Sequence, residues 1–169
     1  IIINGLVTTA GAGKTITLNA NGAIMTSDDG VAELFGENLD LIAGNGIDVE
    51  VDVTNVSYNN TAGNVAIEDM AGGLTVTGAT NSGNGTATIT ARSPLVIAAN
   101  MIQAATINLN AGESGAAGDD LTVNAGITVQ ATGAGSDVNL TAGDNIILST
   151  ASIVRSDTDQ VNVTAGSAD

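Results

Sequence analysis

The feature that most limits what this chain can fold into is a phrase that keeps returning: two apolar residues separated by one polar residue, a spacer, then Ala, usually followed by Gly. It reads Ile16-Thr17-Leu18-Asn19-Ala20, Leu39-Asp40-Leu41-Ile42-Ala43-Gly44, Ile107-Asn108-Leu109-Asn110-Ala111-Gly112, Val138-Asn139-Leu140-Thr141-Ala142-Gly143 and Val161-Asn162-Val163-Thr164-Ala165-Gly166. Weaker copies are Val65-Ala66-Ile67 and Ala87-Thr88-Ile89-Thr90-Ala91. Their starts recur at a mean step of roughly 24 residues, the length of one coil of a parallel β-solenoid.

Stacking follows from the physics of a half-apolar strand. Such a strand cannot bury its apolar face alone, but a neighbour ~4.8 Å away satisfies its backbone groups while the interior side chains line up in columns. The first and third positions of the phrase then point inward. Ala at the fifth takes a cramped inner corner, and Gly lets the chain turn without a Cβ clash. The Asn and Thr between them form outward ladders. About seven coils give a rod about 34 Å long at that spacing.

Each coil has room for further short strands. Asp144-Asn145 marks a turn before Ile146-Ile147-Leu148, and Ile153-Val154 is a third apolar run. Asn45-Gly46 precedes Ile47-Asp48-Val49-Glu50-Val51-Asp52-Val53, a strict period-two strand whose apolar side chains point one way and whose carboxylates point the other. Leu74-Thr75-Val76, Leu95-Val96-Ile97, Leu121-Thr122-Val123 and Ile127-Thr128-Val129 read likewise. Two regions break the pattern. Residues 27–36, from Ser27-Asp28-Asp29-Gly30 to Phe35-Gly36, suit either one or two helical turns or a bulged loop. Residues 111–120 read as an inserted loop that lengthens the step from Ile107 to Val138.

Composition agrees with a thin all-β core. Hydrophobic residues make up 43% of the 169, yet only Phe35 and Tyr58 are aromatic. Aliphatic side chains alone close only a narrow space at native density. The 22 glycines and net charge of -15 favour disorder, but positive mean hydropathy opposes it. The reading is one β-solenoid domain over residues 1–169, a segment or repeating unit of a longer fibre. An antiparallel β-sandwich is the rival fold, because apolar runs and turns do not fix strand direction.

Several chemistries are absent from the residues themselves. With no Cys and no His there is no disulfide framework, thiolate or imidazole metal site, Cys nucleophile or His base. Gly11-Ala12-Gly13-Lys14-Thr15 resembles the end of a phosphate-binding loop, but Thr8 stands where that pattern needs Gly and a strand follows instead of a helix. Lys14, Arg92 and Arg155 are the only cationic side chains, so no basic patch for nucleic acid exists. No apolar run approaches the ~20 residues of a membrane span. A carbohydrate-active β-helix enzyme needs clustered carboxylates, a cation and stacking aromatics, and here these are sparse and scattered. The expectation is a protein that is not an enzyme and needs no cofactor. Thr-x-Thr pairs such as Thr75-Val76-Thr77 do not recur at one place in the coil, which argues against ice binding.

Acidic residues supply the one metal candidate. Asp28-Asp29, Asp119-Asp120 and the row of Asp48, Glu50 and Asp52 offer hard oxygen ligands for Ca²⁺. They match neither an EF-hand loop nor the Gly-Gly-x-Gly-x-Asp repeat, so solvated acidic turns are the plainer reading.

The phrases Val138-Asn139-Leu140-Thr141-Ala142-Gly143-Asp144-Asn145-Ile146-Ile147-Leu148 and Leu39-Asp40-Leu41-Ile42-Ala43-Gly44-Asn45-Gly46-Ile47 resemble the repeats of filamentous-haemagglutinin-type adhesins and related giant bacterial surface proteins. That resemblance implies a right-handed parallel β-helix, secretion to the cell surface, and a structural or adhesive role, with host or matrix glycans as possible partners. The ends add to it. Ile1-Ile2-Ile3 begins apolar and the phrase holding Val161 and Val163 is complete, so neither end reads as a cap. These five residues are the candidates for association with copies of the chain or with adjoining repeats. A Ca²⁺-dependent surface-layer or matrix module is the runner-up.

Overall fold

Every β-ladder among the described residues is parallel, which decides between the two candidate folds in favour of the solenoid. The computed structural model of the protein describes residues 1–114 and 117–166, leaving Gly115 and Ala116 of the inserted loop, and 167–169, outside the described residues. The described chain is all-β. No helix in it is long and apolar enough to cross a membrane. Its strands form a 15-stranded sheet that bends around the core and a 3-stranded sheet made by Met101–Gln103, Thr128–Ala131 and Ile153–Ser156.

The windings can be followed through partnered positions. On one face the register runs Ile2, Met25, Asp48, Ala66, Thr88, Asn108, Asn139, Asn162. The inward neighbours Ile24, Ile47, Val65, Ala87, Ile107 and Val138 make a buried column, and Val49, Ile67, Ile89, Leu109 and Leu140 make the next. Each fully buried Val, Leu or Ile stabilises the stack by about 1.5–3 kcal/mol relative to exposure. Between-coil spacing along the sequence varies: Asn108 follows Thr88 by 20 residues, Asn139 follows Asn108 by 31, and Asn162 follows Asn139 by 23. The columns stay in register because the extra residues leave at corners.

The recurring phrase does not fill a single column, and here the structure departs from the even step. The phrases at Val65, Ala87, Ile107, Val138 and Val161 stack directly. Those at Ile16 and Leu39 stack on a second face, where their partners are Val56, then Val76, Ile97, Val123 and Leu148. The changeover lies in Ile47–Asn60, a strand long enough to run across both faces, pairing with Val65–Asp69 through its first part and with Leu34–Ala43 through its second. Every inner face wants the same alternation of apolar and polar residues, so one local phrase serves both.

The inner corner behaves as the phrase requires. Ala43, Ala91, Ala111 and Ala142 are buried. The following Gly is needed for close approach between coils: a Cβ on Gly44 would lie 2.0 Å from the Asn21 carbonyl oxygen, and one on Gly166 would lie 1.9 Å from that of Gly143. The outward ladder is present as well. Asn108 Nδ2 donates to Thr88 Oγ1 at 3.2 Å, Asn139 Nδ2 to Asn108 Oδ1 at 2.8 Å, and Asn162 Nδ2 to Asn139 Oδ1 at 2.8 Å.

Two further findings depart from the alternation. Residues 27–33 form a loop and Leu34–Ala43 a strand, so the helical option for 27–36 is corrected. Gly30 sits at φ 79° and the Asp29 carboxylate accepts the Val31 N–H at 3.1 Å, a local turn that competes with a helix. The core also takes in amides. Buried Asn60 and Asn81 stack, with Asn60 Nδ2 donating to Asn81 Oδ1 at 3.1 Å, and each closes its own turn by donating to a carbonyl, Gly63 at 3.0 Å and Gly85 at 2.9 Å.

Candidate functional site: an open coil edge and buried carboxylates

Strands Ile146–Leu148, Ile153–Ser156 and Val161–Ala165 each pair on one side only, so together they present an open edge at one end of the stack. Register shows what that does to the interior. Leu148, Val161 and Val163 occupy the same inward positions as Val123, Val138 and Leu140 one coil earlier. The earlier set is 0–1% exposed; the later set is 52%, 40% and 56% exposed. At the other end Ile1, Ile2 and Leu6 are exposed, with Ile2 at 75%. Ile3, expected among the associating residues, is instead buried in the core. The Ile1 ammonium donates to the Ala23 carbonyl at 2.6 Å and Met25 N–H to the Ile1 carbonyl at 3.0 Å, which ties this segment to the second coil.

The carboxylates expected to form one outward row do not act together. Asp48 is exposed and Asp52 half-buried, but Glu50 is buried although its position in the alternation faces outward. Loop 27–33 folds over it. The Glu50 carboxylate accepts the backbone N–H of Asp29 at 3.2 Å and of Gly30 at 3.0 and 3.1 Å, and the Glu50 N–H donates to Thr26 Oγ1 at 2.8 Å.

Asp119 and Asp120 belong to a different corner. Asp119 Oδ2 accepts the Ser114 hydroxyl at 2.7 Å, and these Ser114 hydrogen bonds hold its carboxyl below the usual range. Asp120 Oδ1 accepts the N–H of Asn145 at 3.1 Å and its side-chain amide at 2.9 Å. Asp144, two positions into the same turn, reaches back to accept the N–H of Gly118 at 2.7 Å and of Asp119 at 3.1 Å. This corner spends its carboxylates on stitching one coil to the next.

Sequence reasoning passed over Asp69. It occupies the inner corner position that Ala91, Ala111 and Ala142 fill in later coils. Burial pushes its carboxyl up to about 7; the Val53 N–H, donating at 3.4 Å, pulls the other way, Asp52 adds to the rise and Arg92 opposes it. Its second oxygen makes no hydrogen bond within the chain. Asp69, Arg92, Glu68 and Glu113 line a surface cleft. At 1% exposure, however, Asp69 presents almost no surface to it. The signal that could have found it is one charged residue in a column of alanines, visible only once the register is known.

The fold defines a parallel β-solenoid. Compared with protein-family models, curated proteins and solved structures, the chain matches none.

Proposed function

We propose that the chain is a structural and adhesive module of an extracellular bacterial surface fibre, built by stacking coil on coil with copies of itself or with adjoining repeats of a longer rod. The observation that carries this reading is the parallel stack itself, whose inward columns run in register through Val65, Ala87, Ile107, Val138 and Val161 and through Ile67, Ile89, Leu109, Leu140 and Val163. A parallel coil of this kind is a template for another coil of the same kind. Stacking of like coils is head-to-tail, and such a contact grows without closing. Secretion and surface display rest on the resemblance of the repeats. A net charge of -15 keeps neighbouring rods apart laterally while leaving the ends free to meet.

Sedimentation and electron microscopy of the full chain test the proposal. End-to-end filaments with ~4.8 Å axial periodicity are expected, and Val163→Lys, which puts a charge on the open column, disperses them. A wild-type chain that stays a discrete monomer at high concentration, or filaments indifferent to Val163→Lys, would sink association between copies, and the absence of a ~4.8 Å axial repeat would sink the stacked rod altogether.

A further inference from the structure

We infer that Asp29, Glu33 and Glu50 form a divalent-cation site, suited to Ca²⁺, beneath loop 27–33. One carboxylate oxygen from each of the three lies within 4.8 Å of the others. Two of the three are buried, Glu33 and Glu50 each at 6% exposure. They also stand one above the other: Leu34 pairs with Val51, and the Glu33 N–H donates to the Glu50 carbonyl, so these glutamates hold the same position in adjacent coils. Like charges stacked and desolvated in this way are strongly unfavourable unless a counter-charge sits between them. Among the described residues no lysine or arginine forms an ion pair with any of the three; Arg155 pairs instead with Asp157, near the other end of the chain.

Hydrogen bonding leaves the same gap. Glu50 is satisfied by the N–H groups of Asp29 and Gly30, and one Glu33 oxygen accepts the Ser27 hydroxyl. The other oxygen, Glu33 Oε2, is buried and accepts no hydrogen bond among the described residues. A buried carboxylate oxygen without a donor is rare in a native fold, and on a side chain grouped with two further carboxylates the partner it calls for is a cation. Three carboxylates and a nearby serine hydroxyl form an all-oxygen donor set, and a loop with glycine at its tip provides adjustable geometry. That combination favours Ca²⁺ over Mg²⁺, which demands near-ideal octahedral geometry and sheds its water reluctantly. Of the acidic residues that the sequence singled out for Ca²⁺, Asp29 and Glu50 take part.

The inference stands independently of how coils stack between molecules. Bound Ca²⁺ would pin the loop to Glu50 and tie the second coil to the third.

Isothermal titration of the full chain with CaCl₂, in about 0.15 M salt to screen diffuse attraction to the acidic surface, tests it. One saturable site per chain is expected, with a rise in melting temperature when Ca²⁺ replaces EDTA. Glu33→Gln removes a charge at constant shape, and Asp29→Asn removes one from an exposed loop residue while keeping a side-chain oxygen to accept the Val31 N–H. Each should weaken binding at least about tenfold and abolish the Ca²⁺-induced rise. In EDTA, Glu33→Gln should melt no lower than the wild type, because it relieves the stacked charges. Asp120→Asn, in the other acidic corner, should bind as the wild type does. No saturable binding at millimolar Ca²⁺, binding unchanged in both variants, or equal weakening in Asp120→Asn would overturn the inference.

Discussion

Replacing Asp69 by Asn should make the protein more stable at pH 8 and leave it nearly unchanged at pH 4. In the folded chain, burial among alanine positions raises the Asp69 carboxyl from its ordinary 3.8 to about 7. The folded state therefore holds the proton more tightly than the unfolded chain. Stability from this group is fully present below pH 4 and is lost as the pH climbs through 7. A rise of that size corresponds to about 4 kcal/mol of destabilisation of the ionised protein, at 1.36 kcal/mol per unit. Asn keeps an acceptor for the Val53 N–H and does not ionise, so it removes the penalty without emptying the corner. The assay is urea denaturation of both proteins at intervals between pH 4 and 8, compared by difference so that the other carboxylates cancel. The gap should open from pH 4 to 7, favour Asp69→Asn, and level off above 7. A gap independent of pH would refute the reasoning. A wild type more stable than the variant at pH 8 would show instead that attraction to Arg92 outweighs desolvation.

Two further outcomes test the coil contacts. Gly44→Ala places a Cβ 2.0 Å from the Asn21 carbonyl oxygen in the neighbouring coil, and the backbone shift needed should cost about 2–3 kcal/mol by chemical denaturation. Asn81→Ala removes the donor to the buried Gly85 carbonyl and the acceptor for Asn60, and should cost about 2 kcal/mol, with hydrogen exchange accelerated at turns 61–64 and 82–86.

The solenoid itself was legible because its information is local. The phrase from Val65 to Val161 names strands that pair in the expected register, down to the alanine corner and the asparagine ladder. What the local pattern cannot encode is which face a strand belongs to. Ile16 and Leu39 carry the same phrase as Ile107 but lie on another face, and Val56-Ser57-Tyr58-Asn59-Asn60 stacks on Leu39 while ending in a buried amide instead of Ala. No glycine or proline interrupts Ile47–Asn60 at the bend, so the short winding leaves little mark. The acidic site was half visible. Period-two alternation correctly put Glu50 on the outer side of its strand, but its burial depends on a loop from the preceding coil. Glu33 and Asp29 gain their meaning only from that fold-over, a contact across 21 residues of sequence for Asp29.

Backbone hydrogen bonds between windings point along the stack, so a pull on the two ends loads them one winding at a time. Each coil holds chiefly to its immediate neighbours, as the Thr88–Asn108–Asn139–Asn162 ladder illustrates. Under tension such a rod yields by unspooling from its ends, paying out chain in lengths set by each winding. The longest of these, between Asn108 and Asn139, releases 31 residues at once. Uneven coil length thereby makes failure progressive, and the remaining windings keep their shape.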